Sequence, residues 1–157
     1  MDRLYDICES LRSFLEPLWI EKHTSWDQEI PYISSLHMCR YTSIFLQDVL
    51  QSDFNIYSQI VGGRPEVDDS DWPYTVYGCL DQDNIYQDHC RLVIDDTNTI
   101  VDITADQFGD NKINITQVGD QRYHPNLHQL ESPFKEELSN LSNSVNERLS
   151  IWKNRTI

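Results

Sequence analysis

Cys39 lies where the polar stretch SSLHMC gives way to an apolar, helix-like stretch. Ser34 or Ser35 can cap a helix that begins between residues 36 and 39. Unpaired backbone N–H groups in the first turn of a helix favour negative charge, and Arg40 adds a positive charge nearby. Because the thiolate is the reactive form of cysteine, this position favours a nucleophile. A buried structural thiol is the alternative.

A histidine and an aspartate occur together in the stretch HCRLVIDDTNTIVDITADQF, residues 89–108, whose first part predicts two strands joined by a polar turn. Pairing Leu92 opposite Val101 brings the apolar sides of both strands onto the core face. In that register, and in registers shifted by two, His89 and Asp102 lie on one face. They are then within reach of a hydrogen bond at the closest registers.

A cysteine nucleophile needs a general base, usually a histidine, and a carboxylate that orients the base. Asp102 interrupts the apolar run from Ile100 to Ile103. A carboxylate in such a run requires a partner, because burying an unpaired charge is costly. The alternative is that His89 is an ordinary surface residue at the start of a strand.

The elements that must position these residues follow from the spacing of apolar residues. A first helix is expected over residues 2–20, with Pro17 bending or ending it, and a closing helix over residues 133–153. Helices followed by strands and then a helix predict an α+β fold with a mostly antiparallel sheet. The 157 residues fit one domain, residues 1–157, with its core at about residues 30–118.

Between the helices the sequence alternates between strand-like and polar segments. Strands are expected over residues 54–61, 74–80, 89–94, 99–104 and 111–118. Polar loops are expected over residues 66–71 and 81–88.

The charge balance limits the partners. The chain has 26 acidic and 12 basic residues, for a formal net charge of −14. This charge disfavours a nucleic acid or an anionic membrane, and it suits a basic protein partner. Acidic residues interrupt the N-terminal apolar run, so no signal peptide is expected. Four cysteines without a disulfide spacing indicate reduced thiols in a cytoplasmic protein.

No metal or other cofactor is expected. His124 and His128 are four residues apart, as metal ligands on a helix can be, but Pro125 lies between them. No carboxylate or cysteine pattern supports these two histidines as metal ligands.

The order of a cysteine on a helix, a histidine on one strand and an aspartate on the next resembles the transglutaminase-like branch of the papain-like superfamily. The segments MCRYTSIFL, HCRLVID and IVDITADQFG carry the resemblance, and the last is similar to small bacterial members. The resemblance covers about residues 30–110. It implies a helix-borne cysteine packed against a mostly antiparallel sheet that carries the histidine and the aspartate.

The resemblance implies a role for each residue. Cys39 would be the nucleophile, His89 the base and then the acid, and Asp102 the group that orients the histidine. The oxyanion donor is open between Gln107, Gln28 and the backbone N–H of Cys39. Members often have an aromatic residue two positions after the histidine, where this chain has an arginine.

The expected function is a cysteine-dependent hydrolase or acyltransferase that acts on amide bonds of a protein or peptide through a thioester. Peptide hydrolysis, side-chain deamidation and transglutaminase-like acyl transfer share this chemistry. The alternative is an acidic binding module, such as an immunity, inhibitor or adaptor protein, in which the three residues are inert.

Overall fold

The computed structural model describes residues 2–25, 34–35, 38–62, 78–84, 86–123 and 132–155. These residues form an α+β fold of three α-helices, a four-stranded antiparallel sheet and a two-stranded hairpin. The elements in chain order are α1 Asp2–Ser25, α2 Cys39–Phe54, β1 Ser58–Gly62, β2 Gly78–Leu80, β3 Tyr86–Asp88, β4 Cys90–Ile94, β5 Thr99–Asp102, a 3₁₀ helix Ala105–Phe108, β6 Asn114–Gln117 and α3 Ser132–Asn154.

The main sheet has the strand order β1-β4-β5-β6, and every neighbouring pair is antiparallel. The predicted pairing of Leu92 with Val101 is confirmed. Asn98 has a positive φ of 50° in the turn between β4 and β5, a conformation that asparagine tolerates better than most residues. The turn and the apolar alternation therefore specify the same register.

Both faces of this sheet are buried. One face carries Leu92 and Val101 and packs with α1, α2 and α3 into the larger core. The opposite face carries a smaller cluster formed by Val61, Cys79, Val93, Ile100 and Tyr123. The sequence pattern predicts only the first of these faces as core. Among the described helices, none has the length and apolar character needed to cross a bilayer.

The first helix is longer than the spacing predicts, because α1 continues through Pro17 to Ser25. Leu11, Leu15, Trp19 and His23 follow one another at intervals of four and are all fully buried. This continuous buried stripe stabilises the helix beyond the proline, so tertiary packing outweighs the local preference.

The residue that precedes the second helix is Met38, so the prediction of a Ser34 or Ser35 cap is wrong. No side chain makes a capping hydrogen bond at this helix start. Ser35 instead donates its hydroxyl to Asp106, at 2.7 Å. The serine is therefore used to hold the 3₁₀ helix rather than to begin α2.

Two other boundaries differ from expectation. Phe54 ends α2, Asn55 turns the chain in a left-handed conformation, and β1 begins only at residue 58. Residues 86–88, expected in a polar loop, pair with residues 78–80 as a hairpin, since backbone pairing does not need apolar side chains. The expectations for residues 66–71 and 74–77, and those for His124 and His128, lie outside the described residues.

Three strand ends meet at one edge of the sheet. β1 ends at Gly62, which pairs with Cys90 at the start of β4, and β5 ends nearby at Asp102. Gly62 has a φ of +128°, and a Cβ there would collide with the carbonyl oxygen of His89. The backbone is therefore packed as closely as glycine permits at the edge where the histidine lies.

We predict that Gly62→Ala lowers the free energy of unfolding by about 1 to 3 kcal/mol more than Gly119→Ala does. Both glycines have positive φ, but a Cβ at Gly119 would meet nothing within 4 Å. The control therefore carries the backbone strain without the collision. Urea unfolding of both variants measures the difference, and equal losses would contradict this account of Gly62.

Candidate functional site

His89 and Asp102 form a buried pair at the sheet edge. The Nε2 of His89 lies 2.7 Å from the Oδ2 of Asp102, and the two side chains are 0% and 1% exposed. His89 immediately precedes β4, and Asp102 ends β5. Because the two strands are antiparallel, the start of one and the end of the other reach the same edge. The histidine is therefore a buried residue, not the surface residue of the alternative interpretation.

Four donors surround the Asp102 carboxylate. Oδ1 accepts from the backbone N–H of Thr104 at 3.0 Å and from its hydroxyl at 3.2 Å. Oδ2 accepts from His89 and, at 2.9 Å, from the hydroxyl of Tyr123. Burial alone would raise the pKa of Asp102, but His89 and these donors lower it below its ordinary value. The buried carboxylate therefore stays ionised.

The ionised carboxylate determines the protonation of the histidine. Burial disfavours the imidazolium, but the charge and hydrogen bond of Asp102, assisted by Cys39, raise the pKa of His89 to about 10. The edge of the Phe108 ring also packs against the imidazole, with ring centroids 4.8 Å apart. His89 is therefore an imidazolium at neutral pH, held in one orientation by its Nε2–H bond to Asp102.

Cys39 is the first residue of α2, and its side chain lies near enough to the His89 ring to help raise the pKa of that histidine. Because Nε2 of the ring is bound to Asp102, Nδ1 is the nitrogen left for the sulfur. Cys39 is half-buried, whereas the other three cysteines are buried, and all four are free thiols. Burial raises the pKa of both Cys8 and Cys79 to about 12. Cys39 differs from these two in lying at a helix N-terminus beside an imidazolium.

The three predicted support residues have different positions. Gln107 lies in the 3₁₀ helix, with its amide nitrogen 3.4 Å from Nδ1 of His89 and 3.0 Å from the carbonyl oxygen of Thr104. Gln107 therefore contacts the same ring nitrogen that faces Cys39. Arg40 is half-buried in the first turn of α2. Gln28 lies outside the described residues.

A buried arginine on α1 joins the parts of the site, and the sequence does not reveal it. Both terminal nitrogens of Arg12 donate to the Asp106 carboxylate, at 2.9 and 2.7 Å. Arg12 also donates to the carbonyl oxygens of Ile103 and Lys112. Because Asp106 accepts the Ser35 hydroxyl as well, this one ion pair links α1, the 3₁₀ helix and the segment that leads to Cys39.

Three other neighbours of Asp102 were missed. Thr104 had a detectable signal, because an aspartate often accepts hydrogen bonds from the residue two positions later. Tyr123 had no detectable signal in the sequence, since it follows the last strand and reaches Asp102 only through the tertiary fold. Arg91, continuing the register of β4 and β5, lies opposite Asp102; it is buried, and its guanidinium packs 4.8 Å from the centre of the Tyr123 ring.

Within the described part of the chain, no three histidine, cysteine or acidic side chains are grouped so as to hold a metal ion. Comparisons of the chain with models of known families, with curated proteins and with solved structures found no match. The site therefore rests on its own geometry.

We predict that Asp102→Asn lowers the pKa of His89 from about 10 to near or below its ordinary value of 6.5, since burial then opposes the imidazolium without a carboxylate to offset it. NMR titration of isotope-labelled histidine measures this shift. Asp95→Asn, an exposed turn position, is the control and leaves the His89 titration unchanged. A pKa near 10 in Asp102→Asn would show that Asp102 does not hold the proton on the ring.

We also predict that Arg12→Ala destabilises the protein by about 3 to 5 kcal/mol, because it leaves the partly buried Asp106 carboxylate without the buried cation that it pairs with. Lys112→Ala, which removes a cation that is 71% exposed and 3.9 Å from Glu16, costs no more than about 1 kcal/mol.

Chemical unfolding of the single variants and of the double variant Arg12→Ala with Asp106→Asn measures the coupling. The double variant loses less than the sum of its parts, since the Asp106 charge is removed together with its cation. Additive losses would contradict the Arg12–Asp106 link.

Proposed function

We propose that this protein is a cysteine-dependent hydrolase or acyltransferase that acts on amide bonds through a thioester, with Cys39, His89 and Asp102 as its catalytic triad. The observation that carries the proposal is the buried 2.7 Å hydrogen bond between His89 and Asp102, with the Cys39 side chain beside the same ring. A helix-borne cysteine facing a histidine and an aspartate at a sheet edge is the arrangement of the transglutaminase-like, papain-like proteins.

In the first half of the reaction, the Cys39 thiolate attacks the carbonyl carbon of the amide and forms a tetrahedral intermediate. The Nδ1–H of His89 then donates its proton to the leaving amine as the C–N bond breaks. A thioester on Cys39 and a free amine result. The backbone N–H groups at the uncapped start of α2 lie beside the sulfur and can stabilise the oxyanion.

In the second half, water or an amine attacks the thioester, and the neutral Nδ1 of His89 accepts the proton of the attacking group. Acylation prepares this step, because the sulfur of a thioester no longer carries the charge and hydrogen bond that help to raise the pKa of His89. The imidazole therefore becomes a better base once the acyl group is attached. Asp102 keeps Nε2 protonated throughout, so Nδ1 remains the reactive nitrogen.

The proposed substrate is a protein or peptide. Water is the default acceptor, so peptidase or amidase activity is favoured over acyl transfer. With its charge of −14 the protein attracts basic partners, and we propose that it acts in the cytoplasm.

Acylation by p-nitrophenyl acetate tests this proposal without a known substrate. Cys39 in the wild-type protein acquires one acetyl group, seen as a mass increase that hydroxylamine reverses, and then loses it to water. His89→Ala slows both steps at neutral pH by about 100-fold or more, because general acid–base catalysis is lost. Intact-protein mass spectrometry follows both steps.

Iodoacetamide supplies a second measurement at mildly acidic pH. Cys39 alkylates at least about tenfold faster in the wild type than in His89→Ala, because only the former has an imidazolium beside the sulfur. Cys8 is the internal control for folding and reacts only after unfolding in urea, since it is buried. If Cys39 reacts no faster than Cys8, and is not acylated, the enzyme proposal fails and the acidic binding module is favoured.

A further inference from the structure

The two oxygens of Asp102 are used differently. Among the described residues, Oδ1 is held by Thr104 alone, a local contact two residues away. Oδ2 is shared between two donors from different parts of the fold: Nε2 of His89 at 2.7 Å and the hydroxyl of Tyr123 at 2.9 Å. Two donors on one oxygen share the same negative charge. Each donor therefore weakens the attraction between that oxygen and the other donor.

The direction of the Tyr123 hydrogen bond follows from its neighbours. The side-chain nitrogen of Asn114 lies 3.1 Å from the Tyr123 oxygen and can only donate. The carboxylate of Asp102 can only accept, so the tyrosine hydroxyl accepts from Asn114 and donates to Asp102. Asn114 also pairs directly with Asp102 across β5 and β6. The hydroxyl is therefore fixed at both ends inside the protein.

Tyr123 is itself held in place from the second face of the sheet. It is 2% exposed, it bridges to Cys79 of β2, and its ring packs against the guanidinium of Arg91. A phenylalanine at this position retains the ring contact with Arg91 and loses only the hydroxyl. The substitution thus removes the donor to Asp102, together with the bond that the hydroxyl accepts from the neutral Asn114, and keeps the ring in place.

We propose that Tyr123 is a positioning residue that takes part of the Asp102 charge away from His89, and so limits how firmly the imidazole holds its proton. For the function proposed above, His89 must release that proton to the leaving amine and later accept one from water. A carboxylate that served His89 alone would hold the proton more tightly and make this exchange slower near neutral pH. The inference rests on the proposed function for the reason why His89 must exchange its proton. The titration that tests it measures the pKa of His89 and does not require that function.

Other groups that face the pair are unchanged by removing the hydroxyl. Cys39 faces His89 from α2, Gln107 faces it from the 3₁₀ helix, and Arg91 lies opposite Asp102 on β4. Cys79 faces Tyr123 from β2, and burial keeps that thiol neutral because its pKa is raised to about 12. A shift in the titration of His89 in the variant therefore reports the hydrogen bond.

The experiment compares the His89 titration of the wild type with that of Tyr123→Phe. The signal is assigned among the five histidines by its loss in His89→Gln. Because one donor to Oδ2 is removed, the pKa of His89 rises by about half a unit or more. The control is Tyr57→Phe, which removes the hydroxyl of a tyrosine that is 53% exposed and leaves the pKa unchanged. An unchanged or lowered pKa in Tyr123→Phe overturns the proposal.

A second measurement does not depend on the stability of that variant. Replacement of all tyrosines by ortho-fluorotyrosine makes the Tyr123 hydroxyl more acidic and a stronger donor, so the pKa of His89 falls. The same labelling in Tyr123→Phe gives no further change. The proposal requires that a stronger donor lower the pKa of His89 and that an absent donor raise it. A rise in the pKa of His89 on fluorination would therefore contradict the proposal.

The acetyl-enzyme separates this inference from the proposed function. In Tyr123→Phe, the pH midpoint for hydrolysis of acetyl-Cys39 moves upward together with the pKa of His89, whereas a merely structural role lowers the rate at every pH. If the NMR shift is found but Cys39 is never acylated, the positioning role stands and the enzyme proposal fails. If Cys39 is acylated and the NMR shift is absent, the enzyme proposal stands and the positioning role fails.

Discussion

A fully buried carboxylate imposes the main constraint on this fold. Asp102 is not stable inside the protein as an isolated charge, so every polar group around it must either donate to it or balance it. His89, Thr104 and Tyr123 supply donors, and the buried cation of Arg91 lies across the strand pair. The second face of the sheet is therefore organised around one charge, while the first face is an apolar core built by the helices.

The antiparallel sheet explains why distant segments meet at this charge. Each strand reverses the direction of the last, so the start of β4, the end of β5 and the end of β1 lie together. The 3₁₀ helix begins soon after β5 ends and places Gln107 beside His89. The first turn of α2 completes the group by bringing Cys39 to the remaining ring nitrogen.

The parts of the site that could be predicted depend on local periodicity. Strand alternation placed His89 and Asp102 on one face because a period of two leaves only that choice once Leu92 faces Val101. The start of α2 near Cys39 followed from an apolar run. The serine cap failed because Ser35 is recruited by Asp106, a tertiary contact that no local pattern encodes. The roles of Arg12 and Tyr123 were invisible for the same reason: each acts across long stretches of chain.

The Arg12 ion pair also bears on where the working unit of this protein ends. The motif resemblance begins near residue 30 and leaves α1 outside. Yet Arg12 carries the counter-charge of Asp106, and His23 at the other end of α1 lies 3.2 Å from the backbone carbonyl of Ser34. A shorter fragment trimmed to the motif would keep Cys39, His89 and Asp102. It would lose α1, the helix that helps to hold them in place. Truncation at the start of the motif would therefore leave Asp106 without its counter-charge.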